Sequence, residues 1–158
     1  YLGVEPSLTL VERARQLYAK ADREFIVGNA YQLPVADESA DAVLSMNVWF
    51  HLEDLNTASR ELARILQRGG RFLISTVHPD AYDIWRKMYV DATEDDRKIV
   101  GKAMVPVNPL SRNVFYKHTL QEILDAFGKN GLKVGRIEPI GFLDQTRPIF
   151  INFFGHKE

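Results

Sequence analysis

The sequence predicts an α/β domain built on a doubly wound, mostly parallel sheet whose C-terminal edge turns antiparallel. Three observations carry that reading. Residues 24–28, 40–46 and 71–77 are short apolar runs stopped by glycine or loop residues, as strands are. Between them lie apolar residues at helical spacing: Leu10, Val11, Ala14, Leu17 and Tyr18, then Ala58, Leu62, Ile65 and Leu66. The run Ala40–Met46 is apolar enough to be buried on both faces, which is the habit of parallel strands. Strand and helix in alternation argue for βαβ units.

The elements follow in order. Tyr1–Glu5 reads as a strand that meets a turn at Pro6. Thr9-Leu10-Val11-Glu12 fits a capping box ahead of the first helix, with Arg13, Arg15 and Lys20 on its polar face. Glu24–Gly28 is the second strand, and residues 29–40 form a loop with Pro34 at its middle. The strand Ala40–Met46 comes next, and Asn56 is a reasonable N-cap for the helix after it. Gly69-Gly70 stops that helix and opens the strand Arg71–Val77. Residues 79–118 read as an insertion with no clear strand, helical over Ala81–Val90, then charged, then marked by Pro106 and Pro109. Such insertions line sites. Thr119-Leu120-Gln121-Glu122 is a second capping box before Ile123, Leu124 and Phe127; Gly128 and Gly131 stop that helix. Leu132–Pro139 and Pro148–Phe154 close the chain as strands. The reading is one domain, 1–158, with the cap at 79–118.

Bulk properties narrow the function. A hydrophobic fraction of 46% and a charged fraction of 26% are those of a globular protein. A net charge of -1 gives no electrostatic reason to expect nucleic acid. There is no cysteine, hence no disulfide or thiolate chemistry and compatibility with a reducing cytoplasm. No apolar run reaches membrane-spanning length, and no signal peptide is visible at the start. Zincin, serine-hydrolase and P-loop signatures are absent, as are clustered metal ligands.

The residues that carry chemistry sit where strands end. Glu5 closes Gly3-Val4-Glu5-Pro6, and a carboxylate there can accept from both hydroxyls of a ribose. Gly28-Asn29-Ala30, Leu33-Pro34 and Ser39-Ala40-Asp41-Ala42-Val43 follow at set spacing. Met46-Asn47-Val48-Trp49-Phe50-His51-Leu52 leaves the third strand, and Leu66-Gln67-Arg68-Gly69-Gly70-Arg71-Phe72-Leu73 turns into the fourth. Together these motifs resemble the class I S-adenosylmethionine-dependent methyltransferases, of the type 11 and ubiquinone/menaquinone-biosynthesis-like kind that acts on small molecules. The resemblance runs from Tyr1 to about Gly155 and is specific in the first half.

The resemblance implies a Rossmann-like sheet, S-adenosylmethionine as cofactor, a small-molecule methyl acceptor and a cytoplasmic enzyme, with a homodimer among the arrangements allowed. By position, Glu5 and Pro6 would hold the ribose, Asn29 and Ala30 the adenine, and Met46 and Asn47 the inner side of the cofactor. Asn29 stands where the family has aspartate; its amide oxygen would accept from the adenine amino group without charge assistance. Ala40 stands where an aromatic residue is usual, Phe50 in place of the first histidine of a His-His-Leu tripeptide, and Arg68 in place of proline. His51 and His78 are the candidate proton acceptors, each with a structural alternative as a packed or carbonyl-bonded histidine. Trp49, Phe50, Trp85, Tyr89 and Tyr116 would shape the acceptor pocket. Asn108-Pro109-Leu110 does not fit the Asn-Pro-Pro-aromatic motif of base-modifying enzymes.

The family's first strand and glycine-rich turn have no counterpart in these residues. That strand is central in the family sheet, so its slot is expected to be filled from residues outside the sequence or from a second chain, or else the sheet is rearranged. The competing reading is a non-catalytic, methyltransferase-like interaction partner. A nicotinamide dehydrogenase ranks third, because it too needs a glycine-rich turn.

Overall fold

The computed structural model describes residues 1–103, 113–141 and 147–158. Pro106, Pro109 and the segment Asn108-Pro109-Leu110 lie outside the described residues. The order is β1 (Leu2–Glu5), α1 (Leu8–Tyr18), β2 (Glu24–Val27), β3 (Ala40–Met46), α2 (Leu55–Ile65), β4 (Leu66–Val77), α3 (Tyr82–Arg86), β5 (Tyr89–Glu94), β6 (Lys98–Ala103), β7 (Asn113–Tyr116), α4 (Leu120–Lys129), β8 (Leu132–Ile140) and β9 (Phe150–Lys157). Short 3-10 turns occupy Trp49–His51 and Pro79–Ala81.

Strands β1 and β2 pair in parallel, as do β3 and β4. The larger sheet has the order β3-β4-β9-β8, with β9 antiparallel to both neighbours. The antiparallel C-terminal edge is the one that the sequence predicts, but the sheet is mixed rather than mostly parallel: only β3–β4 pairs in parallel within it, because β9 returns between β4 and β8. Among the described residues β1 pairs only with β2, and β3 only with β4.

The third strand departs from expectation. Val43 packs against the core, but Leu44 is 64% exposed and Met46 53%. Helices α2 and α4 cover one face of this sheet, packing on each other and on β4 and β8. Apolar residues on the opposite face of β3 therefore remain open.

The cap also differs from the sequence reading. Among the described residues its helix is α3, and β5, β6 and β7 form a three-stranded antiparallel sheet. Tyr89 and Val90, expected to end a helix, begin β5. The charged run at 93–98 is a hairpin turn: Asp95 Oδ1 accepts the amide hydrogens of both Arg97 and Lys98 at 2.8 Å. A local side-chain turn of this kind competes with helix.

Two cores result. The first unites Trp49, Leu62, Phe72, Phe127 and Phe153 between the sheet and helices α2 and α4. The second, where the cap meets β4 and the turn after β3, gathers Phe50, Val77, Tyr89, Ile99 and Phe115. Consecutive residues Trp49 and Phe50 thus serve different cores: Trp49 meets the Phe127 ring edge-on at 5.0 Å, and Phe50 stacks on Phe115 at 4.8 Å. Such aromatic pairs add to burial about 0.5–1.5 kcal/mol each.

Helix ends are set by charge and local geometry. Thr119 and Glu122 form the reciprocal capping box that the sequence predicts. Ser7, not Thr9, caps α1, and Asp54, not Asn56, caps α2. Asp54 accepts from both the amide and the hydroxyl of Thr57, at 3.0 and 2.6 Å, and these bonds lower its pKa.

Candidate functional site

The carboxyl ends of β1, β2 and β3 carry the candidate cofactor residues. Gly28 donates its amide hydrogen to the Glu5 carbonyl at 3.2 Å, which sets the loop after β2 beside the end of β1. Only glycine fits there: a Cβ would lie 2.5 Å from Pro34 Cδ and 2.8 Å from Val4 Cγ1. Glu5 is half-buried and takes the Ser7 amide hydrogen on Oε1 at 3.0 Å. Its Oε2 makes no hydrogen bond among the described residues and is open to an incoming donor.

Asn29 is exposed, and its Oδ1 accepts from the Tyr31 and Gln32 amides at 2.9 and 3.1 Å. Both lone pairs of that oxygen are used by the loop itself. The carboxamide oxygen is therefore not free for an adenine amino group, and Asn29 offers its Nδ2 hydrogens instead. Ala30 is half-buried and packs against the main core.

The loop is held from a distance by α2. Arg64 donates to Glu61 through Nε and Nη2, at 3.0 and 2.8 Å, and to Asp37 at 2.6 Å. It also donates to the carbonyls of Val35 and Leu33, at 2.7 and 2.9 Å. Glu61 in turn accepts the Leu33 amide hydrogen at 2.9 Å. The Arg64 guanidinium, with the Leu33 amide, holds the Glu61 carboxyl below the usual carboxylate range. Sequence reasoning missed this network: Glu61 and Arg64 are helix neighbours, but nothing local marks loop partners that lie 27–31 residues from Arg64.

At the end of β3, Asn47 adopts φ +58° while its amide hydrogen bonds the Ser75 carbonyl at 2.9 Å. Asparagine tolerates this left-handed geometry better than other side-chain-bearing residues. Met46 and Asn47 both face solvent. Tyr31 joins the two halves of the site: its hydroxyl accepts from the amides of Glu53 and Asp54, at 2.8 and 3.4 Å.

The two candidate proton acceptors have different geometries. His51 Nδ1 lies 2.7 Å from the Val114 carbonyl, so the proton sits on Nδ1 and Nε2 keeps its lone pair. Its ring lies 4.2 Å from Phe50, and desolvation by the surrounding protein, partly offset by the Val114 bond, lowers its pKa. His78 instead caps the Pro79–Ala81 turn, its Nδ1 accepting from the Asp80 amide at 3.1 Å.

The aromatic residues expected to line an acceptor pocket are mostly in the cores. Trp49, Phe50 and Tyr89 are 4%, 8% and 8% exposed. Trp85 is half-buried between Phe50 and Phe150, and its indole N–H is buried with no hydrogen-bond partner among the described residues. Tyr116 is half-buried and donates to Glu53 Oε2 at 3.2 Å. Among the described residues no group of three or more His, Asp or Glu side chains is placed to hold a metal ion.

Parallel β1–β2 and β3–β4 pairs, the second extended by antiparallel β9 and β8, with acceptor and donor groups at the strand ends, fit a class I methyltransferase fold. Comparison with known proteins agrees. Residues 1–74 match the family described as methyltransferase domain. The chain aligns over 99% of its length with a Pyrococcus horikoshii protein, at TM-score 0.77 and 22% identity, covering 71% of that chain. It aligns equally fully with an S-adenosylmethionine-dependent methyltransferase from Mesorhizobium loti, at TM-score 0.72 and 18% identity, covering 80% of that chain. In sequence it is 32% identical over 84 residues to an O-methyltransferase of Aspergillus sclerotiorum, which is 51% of this chain and 32% of that protein. The chain thus spans about a third of the length of the curated relatives it matches. Its fold is that of the S-adenosylmethionine-dependent methyltransferases, and residues 1–74 are similar to their methyltransferase domain family.

Proposed function

We propose that this protein transfers a methyl group from S-adenosylmethionine to a small-molecule acceptor in the cytoplasm. The observation that carries this reading is the half-buried Glu5 carboxylate, with one oxygen unspent, at the strand end beside the loop that Arg64 and Glu61 hold. These residues suit a nucleoside. Glu5 Oε2 can accept from ribose hydroxyls, Asn29 Nδ2 can donate to a ring nitrogen, and exposed Met46 offers apolar contact. When bound, S-adenosylmethionine supplies an activated methyl group on a sulfonium. The work of the chain is then to align the acceptor and to remove its proton where it has one. No helix among the described residues is long and apolar enough to cross a membrane.

His51 is the group placed for proton removal. Val114 fixes its tautomer, and its lowered pKa keeps Nε2 unprotonated near neutrality. Replacing His51 with asparagine is expected to lower methyl transfer to a protic acceptor by about 10²–10⁴-fold. Cofactor affinity should stay unchanged. The sign of the pH dependence follows from the lowered pKa: wild-type activity holds through the ordinary histidine range and falls only as pH drops through the lower value. A methyl-transfer assay across a panel of hydroxyl and carboxylate acceptors checks this. An unchanged rate in the asparagine variant, with a protic acceptor, would remove His51 from the chemistry.

Replacing Glu5 with alanine is expected to weaken cofactor binding by about 1–3 kcal/mol, roughly ten- to a hundredfold. Equilibrium titration reads this directly. Unchanged affinity would place the ribose elsewhere.

A further inference from the structure

A second cleft, of about 380 Å³, opens between the 95–98 hairpin turn, the end of β7 and the segment after β3. It adjoins the candidate cofactor site through Glu53, whose amide hydrogen is bonded by Tyr31 of the cofactor loop.

Its walls carry unspent groups of both signs. His118 lines it and is only 5% exposed. Nε2 of His118 lies 2.6 Å from the Leu52 carbonyl and so carries the proton, which leaves Nδ1 with a lone pair and no protein partner among the described residues. Burial lowers the pKa of this imidazole and keeps it neutral, so Nδ1 is a standing acceptor. Glu53 accepts from the Tyr116 hydroxyl on Oε2, and its Oε1 has no hydrogen bond among the described residues.

The cations stand on the hairpin. Lys98 is the direct cross-strand partner of Tyr116, and its ammonium makes no ion pair among the described residues. Among the described residues Arg97 ion-pairs with Glu122 alone, at 3.7 Å, and its side chain is 69% exposed. Asp95 spends one carboxylate oxygen on the turn itself, and Asp96 beside it makes no hydrogen bond or ion pair among the described residues. A ligand that satisfies such walls needs an anionic group for Arg97 and Lys98. It also needs a donor-bearing cation for Glu53, Asp96 and His118 Nδ1.

We propose that this cleft binds a small zwitterionic amino-carboxylate, its carboxylate on Arg97 and Lys98 and its ammonium on Glu53 and His118 Nδ1. The site does not depend on the methyl-transfer reading, because binding requires no cofactor. Free L-α-amino acids are the probes, each tested against its N-acetyl form and its C-terminal amide. At least one free amino acid is expected to bind at or below about 1 mM. Both blocked forms should bind at least tenfold more weakly, as should the free form to an Arg97→Ala/Lys98→Ala variant. Arg97 is exposed and Lys98 half-buried at the hairpin, and neither belongs to a core, so that variant is expected to keep the fold, which its thermal unfolding checks. In ¹⁵N-labelled protein the His118 Nδ1 resonance should move on binding more than Nε2. Equal binding of free and blocked forms, no binding by any of them, or a silent His118 would each overturn the proposal.

Discussion

Replacing Arg64 with alanine is expected to cost the fold about 2–4 kcal/mol, discounted for partial exposure, and to loosen the loop that carries Asn29 and Ala30. The side chain is 28% exposed and makes five hydrogen bonds, two to Glu61, one to Asp37 and two to the carbonyls of Leu33 and Val35. Removal strands the Glu61 carboxylate, itself only 14% exposed, and frees two loop carbonyls. Lysine should not rescue the loss, because a single ammonium cannot reproduce the planar fork that meets both Glu61 oxygens. Cofactor affinity should fall as well, since a loop that populates the binding geometry only part of the time binds in proportion to that fraction. Urea denaturation of the alanine and lysine variants measures the first effect, and titration of the folded variants measures the second. A stability change within about 0.5 kcal/mol would show that the Arg64 network is only surface decoration.

The second large effect lies in the main core. Replacing Phe127 with alanine is expected to destabilise the protein by about 3–5 kcal/mol. The Phe127 side chain is fully buried. Its ring meets Trp49 at 5.0 Å, Phe72 at 5.4 Å and Phe153 at 5.6 Å, joining α4 to the turn after β3 and to both β4 and β9. The resulting cavity would be walled by three rings held on different elements, none free to collapse alone. Leucine at the same position should recover part of the loss, because it restores volume without the ring edges. Thermal or urea unfolding checks the order alanine, leucine, wild type. If leucine behaved like the wild type, the ring contacts would carry no stabilisation beyond volume.

Much of the fold was legible because its signals are local. The run Ala40–Met46 became β3 with the same bounds, and Thr119 with Glu122 formed the capping box its spacing implies. Gly28 was legible as a strand stop, and the structure adds why no side chain fits between Val4 and Pro34. Other features were illegible for physical reasons. The cap strands alternate weakly and are interrupted by an Asx turn at Asp95, so helical spacing at Ile84, Trp85 and Met88 dominated the reading. Ser7 and Asp54 won their helix starts through contacts to Leu10 and Thr57 that a neighbouring Thr9 or Asn56 could equally have promised.

Site residues were harder still. Position alone marked Glu5, Asn29 and His51, but their hydrogen bonds decide which atoms remain available. Asn29 has spent its oxygen on the loop, whereas His51 keeps Nε2. The loop contacts of Arg64 and Tyr31 left no sequence signal, because those partners are distant in the chain.

The most direct test is a calorimetric titration of S-adenosylhomocysteine into the protein and into its Glu5→Ala variant. Binding with a dissociation constant near about 1 μM, weakened ten- to a hundredfold by the substitution, is the predicted result. No binding to the wild type, or equal binding to both, would contradict the assignment of this strand end as a nucleoside cofactor site.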